Sequence, residues 1–198
     1  MITIAKYHEE KIEIKKSLFI ACAKMIDSEK DYYDFIKEIK HKYPNATHYC
    51  SACLSESFSR SNDDNEPAKT AGVPILSAIM KSELMNVAII VVRYYGGIKL
   101  GASGLIKAYS NAASTVVNNA TKMEICNYLL YELILDYKKA NQIMNFLKNH
   151  SLNLTVYYDE MVRFEFLSKS DLSTKLSALL KEEITLKELG YRSYKTYL

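Results

Sequence analysis

The sequence predicts an α+β chain of two domains: a larger mixed α/β domain over residues 1–122 and a smaller ferredoxin-like βαββαβ domain over residues 123–198. Three observations carry this expectation. A length of 198 residues exceeds one average domain. Strand and helix patterns mix up to about residue 122, and after Thr121-Lys122 the hydrophobic period gives strand, helix, strand, strand, helix, strand. With 48% hydrophobic and 25% charged residues, and only three prolines, the chain can bury a core and does not read as disordered.

Taken in order, Ser17 to Met25 reads as a strand. Ser28 to Tyr43 reads as a helix, because Tyr32, Ile36, Ile39 and Tyr43 recur at helical spacing and Ser28 is placed to cap it. Pro44-Asn45 stops that helix. His48 to Leu54 reads as a strand, Ser55 to Lys69 as a polar loop and Thr70 to Leu84 as a helix. The unbroken run Val87 to Tyr94 has the pattern of a strand buried on both faces. Gly101 to Ala120 is a helix whose Leu105, Tyr109, Ala112, Val116 and Ala120 form one apolar stripe.

The second domain opens with a strand at Tyr128 to Asp136 and a helix marked by Ala140, Ile143, Met144 and Leu147. Alternation at Leu152, Leu154, Val156 and Tyr158, a turn at Asp159-Glu160, and alternation back through Val162, Phe164 and Phe166 make a hairpin. Leu172, Leu176 and Leu179 define a second helix, and the tyrosine-rich Tyr191 to Tyr197 closes the sheet as an edge strand.

Composition removes several function classes. The net charge of +3 is spread over both parts with no basic arm, so no DNA partner is expected. The N-terminus lacks the apolar core of a signal peptide, and the longest apolar run, Val87 to Val92, is too short to span a bilayer. A cytoplasmic location without a membrane partner is the expectation. Cys22, Cys50, Cys53 and Cys126 read as reduced core residues rather than a disulfide framework.

Three constellations are candidates for chemistry. The first runs from Arg93 to Tyr109 and holds four of the six glycines. It is no Walker loop, since Ala102-Ser103 stands where Lys-Ser/Thr is required, and no G-x-G-x-x-G occurs. Arg93, Lys99 and Ser103 beside a helix start, with Gly96, Gly97, Gly101, Gly104 and Lys107, suit a small anionic ligand such as a phosphate or carboxylate. The alternative is that the glycines only permit tight turns and close packing. The second constellation is the acidic loop Asp63, Asp64 and Glu66, followed by Lys69 and Thr70. It could position a substrate or act as acid and base, or simply cap the following helix and pair with Arg93. No metal and no cofactor are expected of it. In the third, Thr47 to Cys53, the C-x-x-C cysteines point to opposite faces of a strand, while His48 and Cys50 share one and form a weak nucleophile–base candidate.

Asp63-Asp64-Asn65-Glu66-Pro67, Thr70-Ala71-Gly72-Val73-Pro74-Ile75-Leu76, Val91-Val92-Arg93-Tyr94-Tyr95-Gly96-Gly97 and the run Leu100 to Tyr109 together resemble the signature blocks of the IMPACT/YigZ family. Those blocks read roughly DDGEP, GTAGxPIL, VVRYFGG and LGxGGLxRAY, in this order. The resemblance implies an IMPACT-type N-terminal domain like the second domain of a small-subunit ribosomal protein, and a C-terminal domain similar to the ferredoxin-like domains of elongation factor G. It implies a role near translation, since eukaryotic relatives are understood to restrain a starvation-responsive translation kinase by competing for its ribosome-associated activator; no established activity carries over from prokaryotic members. Where the family usually has glycine, this chain has Asn65, Lys69 and Ser103.

Two readings follow. One is a translation-associated module, without catalysis, that binds RNA or a ribosome-associated protein. The other is a phosphometabolite- or nucleotide-binding enzyme that uses the glycine-rich helix start and the acidic loop.

Overall fold

The computed structural model describes residues 1–198. They divide into two compact units, residues 1–124 with 196–198, and residues 125–195. The first unit is built on a five-stranded sheet ordered β2 (His8–Ile14), β3 (Ser17–Met25), β6 (Val87–Tyr94), β4 (His48–Leu54), β5 (Ser59–Asn62), every neighbour antiparallel. Short β1 (Ile2–Ile4) pairs with the first residues of β7 (Lys122–Leu135).

Helices cover both faces. Phe19, Ala21 and Ala23 of β3, with Val87, Ile89 and Val91 of β6, pack under α2 (Gly72–Lys81) and α3 (Gly101–Asn119). The alternate residues Ile20, Cys22, Ala88, Ile90 and Val92 pack under Tyr32, Phe35 and Ile39 of α1 (Glu29–Lys42). Because side chains alternate along a strand, a central strand with helices on both sides must be apolar at every position. Burial of β6 from Val87 through Arg93 follows. At the head of α1, Ser28 Oγ accepts the Asp31 N–H at 3.2 Å and the Asp31 carboxylate accepts the Ser28 N–H at 2.8 Å, a reciprocal cap.

The second unit follows the order β7, α4 (Tyr137–His150), β8 (Leu152–Tyr158), β9 (Val162–Ser168), α5 (Ser173–Leu180), β10 (Lys187–Tyr197). Its strands lie side by side as β8-β9-β7-β10. Tyr131, Leu133 and Leu135 of β7 and Phe164 and Phe166 of β9 bury one sheet face against Ile143 and Leu147 of α4 and Leu176 of α5. No helix in the chain is long and apolar enough to cross a membrane.

Several element boundaries differ from expectation. β2 and β5 were not legible and lie at sheet edges; β5 is exposed throughout, inside the segment that reads as a polar loop. Helix α2 begins at Gly72 rather than Thr70, because the Asp63 side chain takes up the backbone donors before it. All four cysteines are free, with Cys50 and Cys53 packed on opposite faces of β4.

Candidate functional site

The register of β4 and β6 sets His48 directly opposite Arg93, on the sheet face that α3 covers. Between them lies Glu66, whose side chain is 4% exposed. Its Oε1 accepts a hydrogen bond from Arg93 Nη1 at 2.5 Å and another from the Tyr109 hydroxyl of α3 at 2.8 Å. His48 Nε2 stands 3.7 Å from the same oxygen. His48 Nδ1 lies 2.8 Å from the Asp64 carbonyl oxygen, an acceptor only, so Nδ1 carries the proton and Nε2 is turned to Glu66. Burial, then Cys50 and Glu66, push the Tyr109 phenol far up, which keeps it a donor. The Arg93 guanidinium lies between the Phe19 and Tyr95 rings, its Cζ 5.4 Å from each centroid.

The other acidic side chains are occupied by the backbone. Asp63 Oδ1 accepts the N–H groups of Ala71 at 3.0 Å and Gly72 at 2.8 Å, and Oδ2 accepts that of Lys69 at 2.8 Å. Burial would raise its pKa, but the three donors hold the carboxyl below the usual aspartate range. Ala71 cannot cap α2 with its own side chain, so Asp63 satisfies those donors from a distance. Asp64 Oδ2 accepts the Tyr49 N–H at 2.7 Å, and Thr70 Oγ1 donates to the Pro67 carbonyl at 2.6 Å. Asp63 thus caps α2 and Glu66 pairs with Arg93, while Asp64 holds the backbone of β4.

Above the Glu66–Arg93 pair opens a cleft of about 390 Å3. Its lining is made by Thr47, His48, Pro67 and Tyr95 together with Lys99 and the start of α3 (Leu100, Gly101, Ala102 and Leu105). Helix α3 starts with no side-chain cap and no acidic residue in its first turn. Arg93, Lys99, Gly101, Glu66 and His48 are therefore brought together. Ser103, Gly104 and Lys107 are not in the lining; about 100° of rotation per residue carries Ser103 and Lys107 around α3, whereas Leu105 returns to the face of Gly101. Gly96 and Gly97 also lie outside it: Gly96 is pressed against the Lys16 backbone and Gly97 turns the chain at φ +82°. The His48–Cys50 pairing is corrected by geometry. Cys50 is fully buried, its thiol donates to the Asp63 carbonyl at 3.0 Å, and burial pushes its pKa up, away from a thiolate. Tyr109 was hidden to sequence reasoning in an apolar helix stripe.

The Impact N-terminal domain matches residues 15–117, which contain every residue of this site. The chain belongs to the IMPACT family. It is 37% identical over 167 residues to the IMPACT family member YvyE of Bacillus subtilis (strain 168), covering 82% of this chain and 77% of the relative. Against the IMPACT family member YigZ of Escherichia coli (strain K12) it is 35% identical over 136 residues, 66% of this chain and 67% of the relative. A crystal structure of "an hypothetical protein" shares the fold with a TM-score of 0.64 at 28% identity, covering 96% of both chains.

Two of the positions where the resemblance led us to expect glycine adopt left-handed backbone in this chain, Asn65 at φ +67° and Lys69 at φ +63°. Asparagine tolerates that region, whereas lysine is strained there. Restoring glycine, Lys69→Gly, is expected to stabilise the protein by roughly 0.5–1 kcal/mol, the relief of left-handed strain less the added freedom of the unfolded chain. A lower urea midpoint for the variant would show that Lys69 contributes contacts that outweigh its backbone strain.

Proposed function

We propose that this IMPACT-family chain is a translation-associated regulatory protein that acts by binding, with ribosomal RNA as its partner. The observation that carries this reading is the state of the site. The ionisable groups under the cleft are engaged with one another and with backbone, as in a rigid binding surface, while Lys99 and the uncapped start of α3 are left facing outward. The resemblance to domains of the translation machinery supports it. So does the strand order β8-β9-β7-β10 with two helices on one face, which favours a ferredoxin-like domain of the elongation-factor kind over residues 123–198, after an IMPACT-type domain over 1–122.

The test is filter binding of ribosomal RNA. Retention is expected at low salt and should fall steeply as salt rises, because released counterions drive such binding. Absence of retention at the lowest salt concentration overturns the RNA reading.

A further inference from the structure

We propose that the second unit holds single-stranded RNA in a basic, tyrosine-lined groove at one end of its sheet. The inference rests on the RNA reading above and assigns it a contact within residues 125–195.

Two hollows make the groove. One, of about 350 Å3, lies where α4 gives way to β8 and β9 to α5, and its lining includes His150, Lys169, Lys175 and Tyr128 of β7. The other, of about 300 Å3, lies on the sheet face that the helices leave uncovered. Its Leu130 and Glu165 alternate along β7 and β9 with Tyr131, Phe164 and Phe166, which face the helices, and Arg192 and Tyr194 of β10 complete it. Leu167 lines both, so the hollows adjoin. Each is near the lower bound for a small-molecule site, with room for about one nucleotide.

Charge selects the occupant. No carboxylate lines the first hollow, and Glu165 in the second is bound by Arg163 Nη1. Elsewhere in this unit cations are matched, Lys139 to Glu182 at 2.7 Å and Lys187 to Glu132 at 2.8 Å. Lys175 has no such partner, and His150 turns Nδ1 to the Phe146 carbonyl at 2.9 Å, which leaves Nε2 over. A concave surface with positive charge that the fold does not neutralise suits a polyanion. The tyrosines then favour RNA over an acidic peptide. The Tyr128 and Tyr194 rings meet edge to face at 5.8 Å, and Lys169 Nζ lies 5.6 Å from the Tyr128 ring centroid. Aromatic rings set among cations are what single strands use, bases on the rings and phosphates on the charges, whereas a duplex keeps its base faces stacked inside. Asn149 and Ser170 of the first lining offer polar groups to a 2′-hydroxyl.

The experiment is fluorescence anisotropy of a labelled single-stranded RNA, the same RNA as a duplex, and a polyglutamate peptide, each titrated with the full chain beside the ribosomal RNA filter assay. It is repeated with Lys169→Glu combined with Lys175→Glu, with Tyr194→Leu, and with Lys138→Glu as a reversed charge outside the groove. All three lysines are exposed, so the reversals should melt near the parent temperature. The single strand is expected to bind, the double reversal to weaken it about tenfold or more, and Tyr194→Leu about fivefold or more, the scale of one lost base stack. Reversing two phosphate contacts should also flatten the slope of log affinity against log salt by about 1.4. Tighter binding of the duplex or of polyglutamate, an unaffected double reversal, or equal weakening by Lys138→Glu overturns the groove. If the parent retains ribosomal RNA while the double reversal binds like the parent, the groove alone falls and the RNA reading stands; a parent that retains none overturns both.

Discussion

Replacing Glu66 with alanine is expected to cost about 3–5 kcal/mol of stability, the penalty for leaving one member of a buried ion pair without its partner. The pair is suited to so large an effect, with side chains 6% and 4% exposed. Removing the carboxylate also strands the Tyr109 hydroxyl, which is buried inside α3's contact with the sheet. The effect should come from an uncompensated charge rather than from a lost attraction. Glu66→Leu combined with Arg93→Met is therefore expected to cost less than Glu66→Leu alone. Tyr109→Phe, which removes one hydrogen bond and leaves the ion pair, should cost only about 1 kcal/mol. Urea denaturation of the four proteins measures all of this. A loss under about 1 kcal/mol for Glu66→Ala would mean that water reaches Arg93 freely and that the pair is not a buried one.

Gly96→Ala should be comparably severe for a steric reason. A Cβ at this position would lie 1.9 Å from the Lys16 carbonyl oxygen and 2.5 Å from the Ser17 nitrogen, backbone atoms where the turn after β2 enters β3. No rotamer avoids this contact, and the Gly96 N–H, which donates to Ser17 Oγ at 3.1 Å, would be displaced with it. A loss of about 4 kcal/mol or more is expected, in the range that few single substitutions reach. Gly97 and Gly101 provide the contrast, with φ of +82° and +72° and nothing within 4 Å of a built Cβ. Alanine at either should cost about 1–2 kcal/mol, backbone strain alone. Equal thermal shifts for the three variants would show that the turn between β2 and β3 yields easily to Gly96.

How much could be read in advance depends on the source of each signal. The limits of β4 and β6 coincide with expectation, because apolar runs between turn residues announce buried strands, and Ser28 announces the start of α1. β2 and β5 escaped, since edge strands such as HEEKIEI and SRSN gain their pairing from neighbours rather than from a hydrophobic period. The pairing of Arg93 with Glu66 was legible only as one of the alternatives for the acidic loop, which did not single out Glu66 from Asp63 and Asp64. Which residues face the cleft was not legible. Helical phase separates Gly101 from Ser103 and Lys107, and only the folded chain brings Thr47 and Pro67 to the same cleft. Tyr109 was concealed because a tyrosine at a helical apolar position is read by its ring, while its function here lies in the hydroxyl.

The order β2-β3-β6-β4-β5 has a consequence for how the protein is made. The strand at the centre of the sheet is the last of its five to leave the ribosome. A nascent chain that ends before Tyr94 holds β3 and β4 with no strand between them, both edges open, and Phe35 and Ile39 of α1 without the strand they cover. Such a chain is bound to wait, and it waits with apolar edges exposed, the condition under which partly made domains associate wrongly. Arg93 closes β6 and Tyr109 lies further along still, so the sheet and the cleft on it come into being in one late event rather than by stages.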